Sequence, residues 1–232
     1  MAKLDKSLYT KAQWKILREE RRQFKKQKTS TNNSSNIAFV LGNGVSRQDI
    51  DPAILQTHGP VYGCNAIYRT FSPDYLVAVD PRMVHEICKT GYQIKNKLWT
   101  NYQKAYNKYE NINYFDPMRG WSSGPSALWL ATLQGHTEIY ILGFDYLGLY
   151  NGIKVNNIYV DTPNYKQSHE EATFYGNWLK QTKIIFRENK DVTFIRVIDT
   201  KGFEPKEFTT STNYKSIYKK DFCNYFYKNS QF

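Results

Sequence analysis

Gly42-Asn43-Gly44-Val45-Ser46 is the first stretch of this 232-residue chain whose residue types and spacing suit chemistry. It stops a short apolar run, Ile37-Ala38-Phe39-Val40-Leu41, and precedes a segment of helical character. Glycines at such a junction let backbone N–H groups and a helix dipole face a phosphate. The dinucleotide fingerprint G-x-G-x-x-G is incomplete, because Arg47 stands at its third glycine. The same residues therefore also read as an ordinary tight turn. Position favours the ligand loop: Asn65, Asp80, Gly143, Asp145 and Tyr146 end later apolar runs, and ligands of open parallel sheets sit beyond the carboxyl ends of the strands.

Trp121-Ser122-Ser123-Gly124-Pro125 precedes a second apolar segment. Ser122 or Ser123 caps the helix there, or these hydroxyls and N–H groups, with Arg119 nearby, grip a phosphate or carboxylate. His169 stands beside Glu170 and Glu171; a histidine there is either a base working near neutral pH or a solvated helix-terminal residue. His58, His85 and His136 take no role. The four histidines are scattered and Cys64, Cys88 and Cys223 form no C-x-x-C, so no metal site is expected.

The elements that must position these residues follow from periodicity and punctuation. Strands are predicted at 37–41, 61–65, 75–80, 97–99, 112–115, 138–143 and 192–197, and helices at 47–56, 81–90 (Pro81 in its first turn), 125–135 and 168–189. The alternation is that of a doubly wound, mostly parallel α/β sheet. Residues 91–115 are rich in Tyr, Lys and Asn, and 146–167 form a Gly/Asn/Tyr-rich loop long enough to be a lid.

Charge divides the chain differently. Of a formal net charge of +11, residues 1–30 carry +7 and residues 213–232 carry +3, which leaves about +1 for the body between them. The reading is a basic helical extension and linker at 1–35, a nucleotide-binding domain at 36–200, and a basic, Tyr-rich tail at 201–232. Trp14, Leu17 and Phe24 give the extension a thin apolar stripe. It is either a contact helix for nucleic acid, an anionic surface or a protein assembly, or a solvated helix resting on its own domain. With no secretory pattern and no 18-residue apolar span, cytoplasmic residence is the expectation.

Together, Gly42-Asn43-Gly44-x-Ser46, Cys64-Asn65, Ser122-Ser123-Gly124 and Glu138-Ile139-Tyr140-Ile141-Leu142-Gly143-Phe144-Asp145 resemble the family 42 bacterial sialyltransferases over residues 37–197. The resemblance implies a Rossmann-like fold with a lid loop and transfer of a sugar from a cytidine monophosphate donor to a hydroxyl, without metal. It assigns donor binding to Gly42, Asn43, Gly44, Asn65 and Ser123, phosphate contacts to Tyr146 and Tyr159, and the general base to His169. Ser46, Asp80, Ser122, Gly124 and Asp145 complete the expected nucleotide-binding set. Asp80 stands where that family has an amide, and Arg119 is one residue out of register with its Arg-x-Thr-Ser-Gly. The same core resembles hydroxymethylpterin diphosphokinase-like proteins, part of a broader, often phage-encoded set, which implies a nucleoside triphosphate and Mg²⁺ held by Asp80 and Asp145. A third reading keeps the fold without catalysis and uses the basic ends for binding or assembly.

Overall fold

The computed structural model describes residues 36–227; the basic segment and linker expected at 1–35 lie outside them. Eight strands, β1 (Ile37–Leu41), β2 (Val61–Cys64), β3 (Tyr75–Val77), β4 (Leu98–Thr100), β5 (Ile112–Tyr114), β6 (Glu138–Leu142), β7 (Thr193–Ile198) and β8 (Tyr214–Tyr218), form one sheet. Their order is β5-β4-β3-β2-β1-β6-β7-β8, and every neighbouring pair is parallel. The helices that carry the argument are α1 (Pro52–Gln56), α2 (Pro81–Lys89), α3 (Ser123–Leu133), α4 (Gly176–Glu188) and α5 (Lys219–Phe226).

Both faces of the sheet are covered, which is why β1 reads as a continuous apolar run. Alternation sends Phe39 and Leu41 into one core, with Leu55 of α1, Val84 and Ile87 of α2, and Phe222 and Phe226 of α5. Ala38 and Val40 enter the other, with Leu128 and Ala131 of α3 and Ile185 and Phe186 of α4. This is a doubly wound, Rossmann-like α/β architecture. The chain builds the sheet outward from β1 to β5, then returns to place β6 on the other side of β1. The β1/β6 junction is thus the topological switch point, where such sheets leave a crevice.

Three segments differ from expectation. In place of a helix at 47–56, a 3₁₀ turn at Val45–Arg47 is followed by α1, because Pro52 cannot occupy a helix interior and instead opens one at N1, capped by Asp51, which accepts from Ala53 N at 2.9 Å. The helix expected from 168 begins only at Gly176. Residues ahead of it are committed to a flap, where Glu171 bridges Lys154 and Ala172 N donates to Ile153 O at 3.0 Å. The expected tail from 201 is part of the domain: β8 pairs with β7 over five residues, and Phe208 and Phe222 are wholly buried. Hydrophobic burial rather than net charge decides that boundary.

Candidate functional site

A cavity of about 410 Å³ opens at the switch point, beyond the carboxyl ends of β1, β2, β3 and β6 and beside the N-terminus of α3. Ten of the residues singled out from sequence line it: Gly42, Asn43, Gly44, Asn65, Asp80, Ser122, Ser123, Gly124, Asp145 and Tyr146. Ser46, Tyr159 and His169 do not.

The Gly-Asn-Gly loop is held by protein partners. Gly42 N donates to Leu142 O at 2.8 Å and Gly44 N to Gly143 O at 2.9 Å, while Val45 N donates to Asn156 Oδ1 at 2.9 Å. Ser46 gives both its N–H, at 3.1 Å, and its hydroxyl to the Asp145 carboxylate. With these N–H groups occupied, the loop is not an open phosphate cradle. A three-residue 3₁₀ turn follows it, so no long helix dipole backs it. The glycines serve close packing: a Cβ on Gly42 would lie 2.5 Å from Gly143 O, and one on Gly44 would lie 2.5 Å from Asp145 Cγ.

Asn43 is a buried node. Its Nδ2 donates to Cys64 O at 3.1 Å and to the Tyr165 hydroxyl at 3.0 Å, and its Oδ1 accepts from Arg47 at 3.1 Å. Arg47, itself buried, also donates Nε–H to Gly42 O. Burial pushes the Cys64 thiol up to about 12 despite the opposing charge of Arg47, so that cysteine is neutral packing rather than a nucleophile.

Asn65 is differently employed. It follows β2 at φ 52°, and its Oδ1 accepts from Ser123 Oγ at 2.8 Å, while the Ser123 oxygen accepts from Val79 N at 3.1 Å. This relay fixes the amide at the cavity wall. The capping expected of Ser122 is not made: it holds the N-cap position without a side-chain bond. The first-turn N–H groups of Ser123 and Gly124 therefore belong to cavity-lining residues at the positive end of an 11-residue helix.

The tyrosines are redistributed. Tyr146 is buried, donates to Thr182 Oγ1 at 2.9 Å and lies under Arg196 at 5.2 Å; it supports the wall rather than a phosphate. Tyr159 is buried away from the cavity, 3.3 Å from Thr70 Oγ1. A second cavity-lining tyrosine is Tyr165, whose oxygen accepts from Asn43 Nδ2 and from Ala66 N at 3.3 Å. Burial pushes it up to about 12, with those two bonds opposing, so it is a neutral donor at physiological pH. Its lid position was visible in the sequence, but among several loop tyrosines nothing marked it. Asn156 and Lys166 of the same loop, and Trp178 in the first turn of α4, also line the cavity and were missed.

His169, the expected base, is exposed on the flap and outside the cavity lining, because the helix that was to aim it inward starts seven residues later. Asp80 caps α2, accepting from Arg82 N at 2.8 Å, and lines the cavity rim. Among the described residues no three His, Cys, Asp or Glu side chains group to hold a metal ion. Asp145, the second carboxylate a magnesium reading needs, has both oxygens engaged by Ser46.

The lid is latched to the body. Arg69 donates to Thr162 Oγ1 at 2.8 Å and Pro163 O at 2.9 Å and pairs with Glu86, which also accepts from Asn164 Nδ2 at 2.6 Å. Burial alone would raise the Glu86 carboxyl, but hydrogen bonds from Tyr68, Arg69 and Asn164 outweigh it and hold it below the usual glutamate range. A depressed carboxylate contributes its stabilisation above its unlatched value, about 4.3, and loses it as pH falls through the lower latched value. The excess hydrogen-exchange protection of residues 159–165 over that in Glu86→Gln is therefore expected to be full at pH 6 and to decline as the pH falls below about 4. Equal protection in both proteins at pH 6 would refute the latch.

No helix among the described residues is long and apolar enough to cross a membrane. Comparison with protein-family models, curated proteins and solved structures gives no match. The chain is thus placed by its architecture, a Rossmann-like α/β fold whose switch-point cavity is compatible with a nucleotide.

Proposed function

We propose that the chain is a glycosyltransferase that binds a cytidine monophosphate-type sugar donor in this cavity and passes the sugar to a hydroxyl. The observation that carries the reading is convergence: residues 42–44, 64–65, 122–124 and 143–145, the segments that resemble sialyltransferases, line one cavity at the switch point. Asn65, oriented by Ser123, offers amide protons to the donor. The first turn of α3 takes its phosphate, and the Tyr165 hydroxyl, whose oxygen already accepts two bonds, turns its own proton toward the charge that develops on the leaving phosphate.

The acceptor hydroxyl attacks the anomeric carbon, the bond from that carbon to the phosphate oxygen breaks, and cytidine monophosphate leaves with the bonding pair. Asp80 is the carboxylate at the rim with one oxygen left to take the hydroxyl proton. Asp145 is tied to Ser46, so the magnesium phosphotransferase reading finds less support.

Isothermal titration with cytidine monophosphate and with ATP, each with and without Mg²⁺, tests this. Metal-independent cytidine monophosphate binding is expected, weakened about tenfold or more in Asn65→Ala, as removal of a hydrogen bond to a charged group costs about 1.5–3 kcal/mol. Binding that needs both Mg²⁺ and Asp80 would overturn the reading.

A further inference from the structure

The ionic side chains that line the switch-point cavity are two carboxylates, Asp80 and Asp145, and one ammonium, Lys166. A phosphate entering beside two carboxylates is repelled unless an opposing charge stands in reach. The neighbouring cations are committed elsewhere. Arg69 pairs with Glu86 and Arg196 with Glu204, and Lys154 gives its ammonium to His169 O. Lys166 is half-buried on the lid beside Tyr165 and makes no ion pair among the described residues. Its Nζ donates to Glu171 O at 2.9 Å; an ammonium has three donors, so two are left to spend. A second observation also calls for an anion. Behind the Gly42–Asn43 wall, Arg47 is 5% exposed and likewise has no ion pair among the described residues, its donors going to Gly42 O and Asn43 Oδ1. A buried cation without a counter-ion is costly, and negative charge brought to the cavity offsets that cost.

We infer that Lys166 is the cation that binds a phosphate in this cavity, turning its free N–H groups from the lid onto the phosphate oxygens. The first turn of α3 contributes N–H dipoles, and Lys166 adds the full charge that dipoles lack. The inference rests on the glycosyltransferase reading only for the identity of the donor. Within that reading Lys166 acts on the reaction itself. When the bond from the anomeric carbon to the phosphate oxygen breaks and the pair stays on oxygen, a singly charged phosphodiester becomes a doubly charged monoester. The ammonium therefore holds the departing cytidine monophosphate more strongly than the intact donor, which lowers the barrier.

Isothermal titration of the full chain with cytidine monophosphate, cytidine, adenosine monophosphate and inorganic phosphate tests this. Wild type is expected to bind cytidine monophosphate more tightly than cytidine. Lys166→Met should shrink the ratio of those two affinities tenfold or more, as for loss of a hydrogen bond to a charged group. Lys166→Arg keeps charge and donors and should restore much of the ratio; Lys166→Gln keeps an N–H donor without the charge and repeats the test if methionine unsettles the fold. Between pH 5 and 7 the phosphate takes up its second charge, so the wild-type ratio should rise while that of Lys166→Met stays nearly flat. A purely structural lysine would not produce that difference. An unchanged ratio in Lys166→Met and Lys166→Gln, with cytidine monophosphate still bound, would overturn the inference and leave the glycosyltransferase reading standing. Lys166-dependent binding of adenosine monophosphate or inorganic phosphate, without binding of cytidine monophosphate, would support the inference and sink the donor. Wild type that binds none of the phosphate compounds would overturn both.

Discussion

A chain ending at residue 200 is expected to fail to fold, and Phe222→Ala in the full chain to lose about 3–5 kcal/mol of stability, the range for truncating a buried aromatic. Phe222 is wholly buried and Phe226 is 2% exposed. Their rings sit 6.3 and 5.1 Å from Phe39 of the central strand, and 5.6 and 5.0 Å from Tyr140 of β6. Truncation would therefore uncover the middle of one face of the sheet, as well as the edge of β7 that β8 now covers. The same segment touches the ligand loop, since Lys219 donates to Ser46 O at 3.0 Å and pairs with Asp199 at 3.2 Å. Denaturant unfolding of Phe222→Ala against wild type measures the loss. A truncated protein that stays monomeric and melts cooperatively at the wild-type temperature would show that 201–232 is dispensable.

The sequence misled there for a physical reason. Lys215, Lys219 and Lys220 give the segment a basic surface, and in β8 only the partly buried Tyr214 and Ile217 turn inward. An edge strand of that kind has no continuous apolar run, unlike β1 and β6, which are buried on both faces and were legible at once. The cavity was legible because its residues follow those two strands directly and so are carried to the same pole. Tyr146 lines the cavity but gives its hydroxyl to Thr182, a direction that goes with its φ of 61° and that no spacing encodes. His169 falls outside the cavity lining because the helix expected from 168 begins only at Gly176. The tilt of helix formers from 168 onward cannot outweigh a flap whose backbone pairing runs to residues 153–155.

Gly44→Ala is the other substitution expected to have a large effect, and its cause separates the two uses of a glycine loop. Gly44 has φ −67°, which alanine adopts freely, so any loss is steric rather than conformational. A Cβ there would lie 2.5 Å from Asp145 Cγ and 2.8 Å from Gly143 O. Either the loop lifts away from β6, breaking the 2.9 Å bond from Gly44 N to Gly143 O, or Asp145 swings out and releases Ser46. Overpacking of this kind costs about 1–3 kcal/mol, and both routes deform the wall of the cavity, so cytidine monophosphate affinity should fall together with stability. If the glycine were there only for close approach of a phosphate, affinity would fall while stability stayed at the wild-type value. A double-mutant cycle resolves this. Asp145→Ala removes one of the two clashing groups, so Gly44→Ala should cost less in that background than in wild type, with a coupling of about 1 kcal/mol or more, as for residues in direct contact. Strictly additive losses would mean that the Gly44–Asp145 packing does not set the loop, and would return the glycine to the ligand.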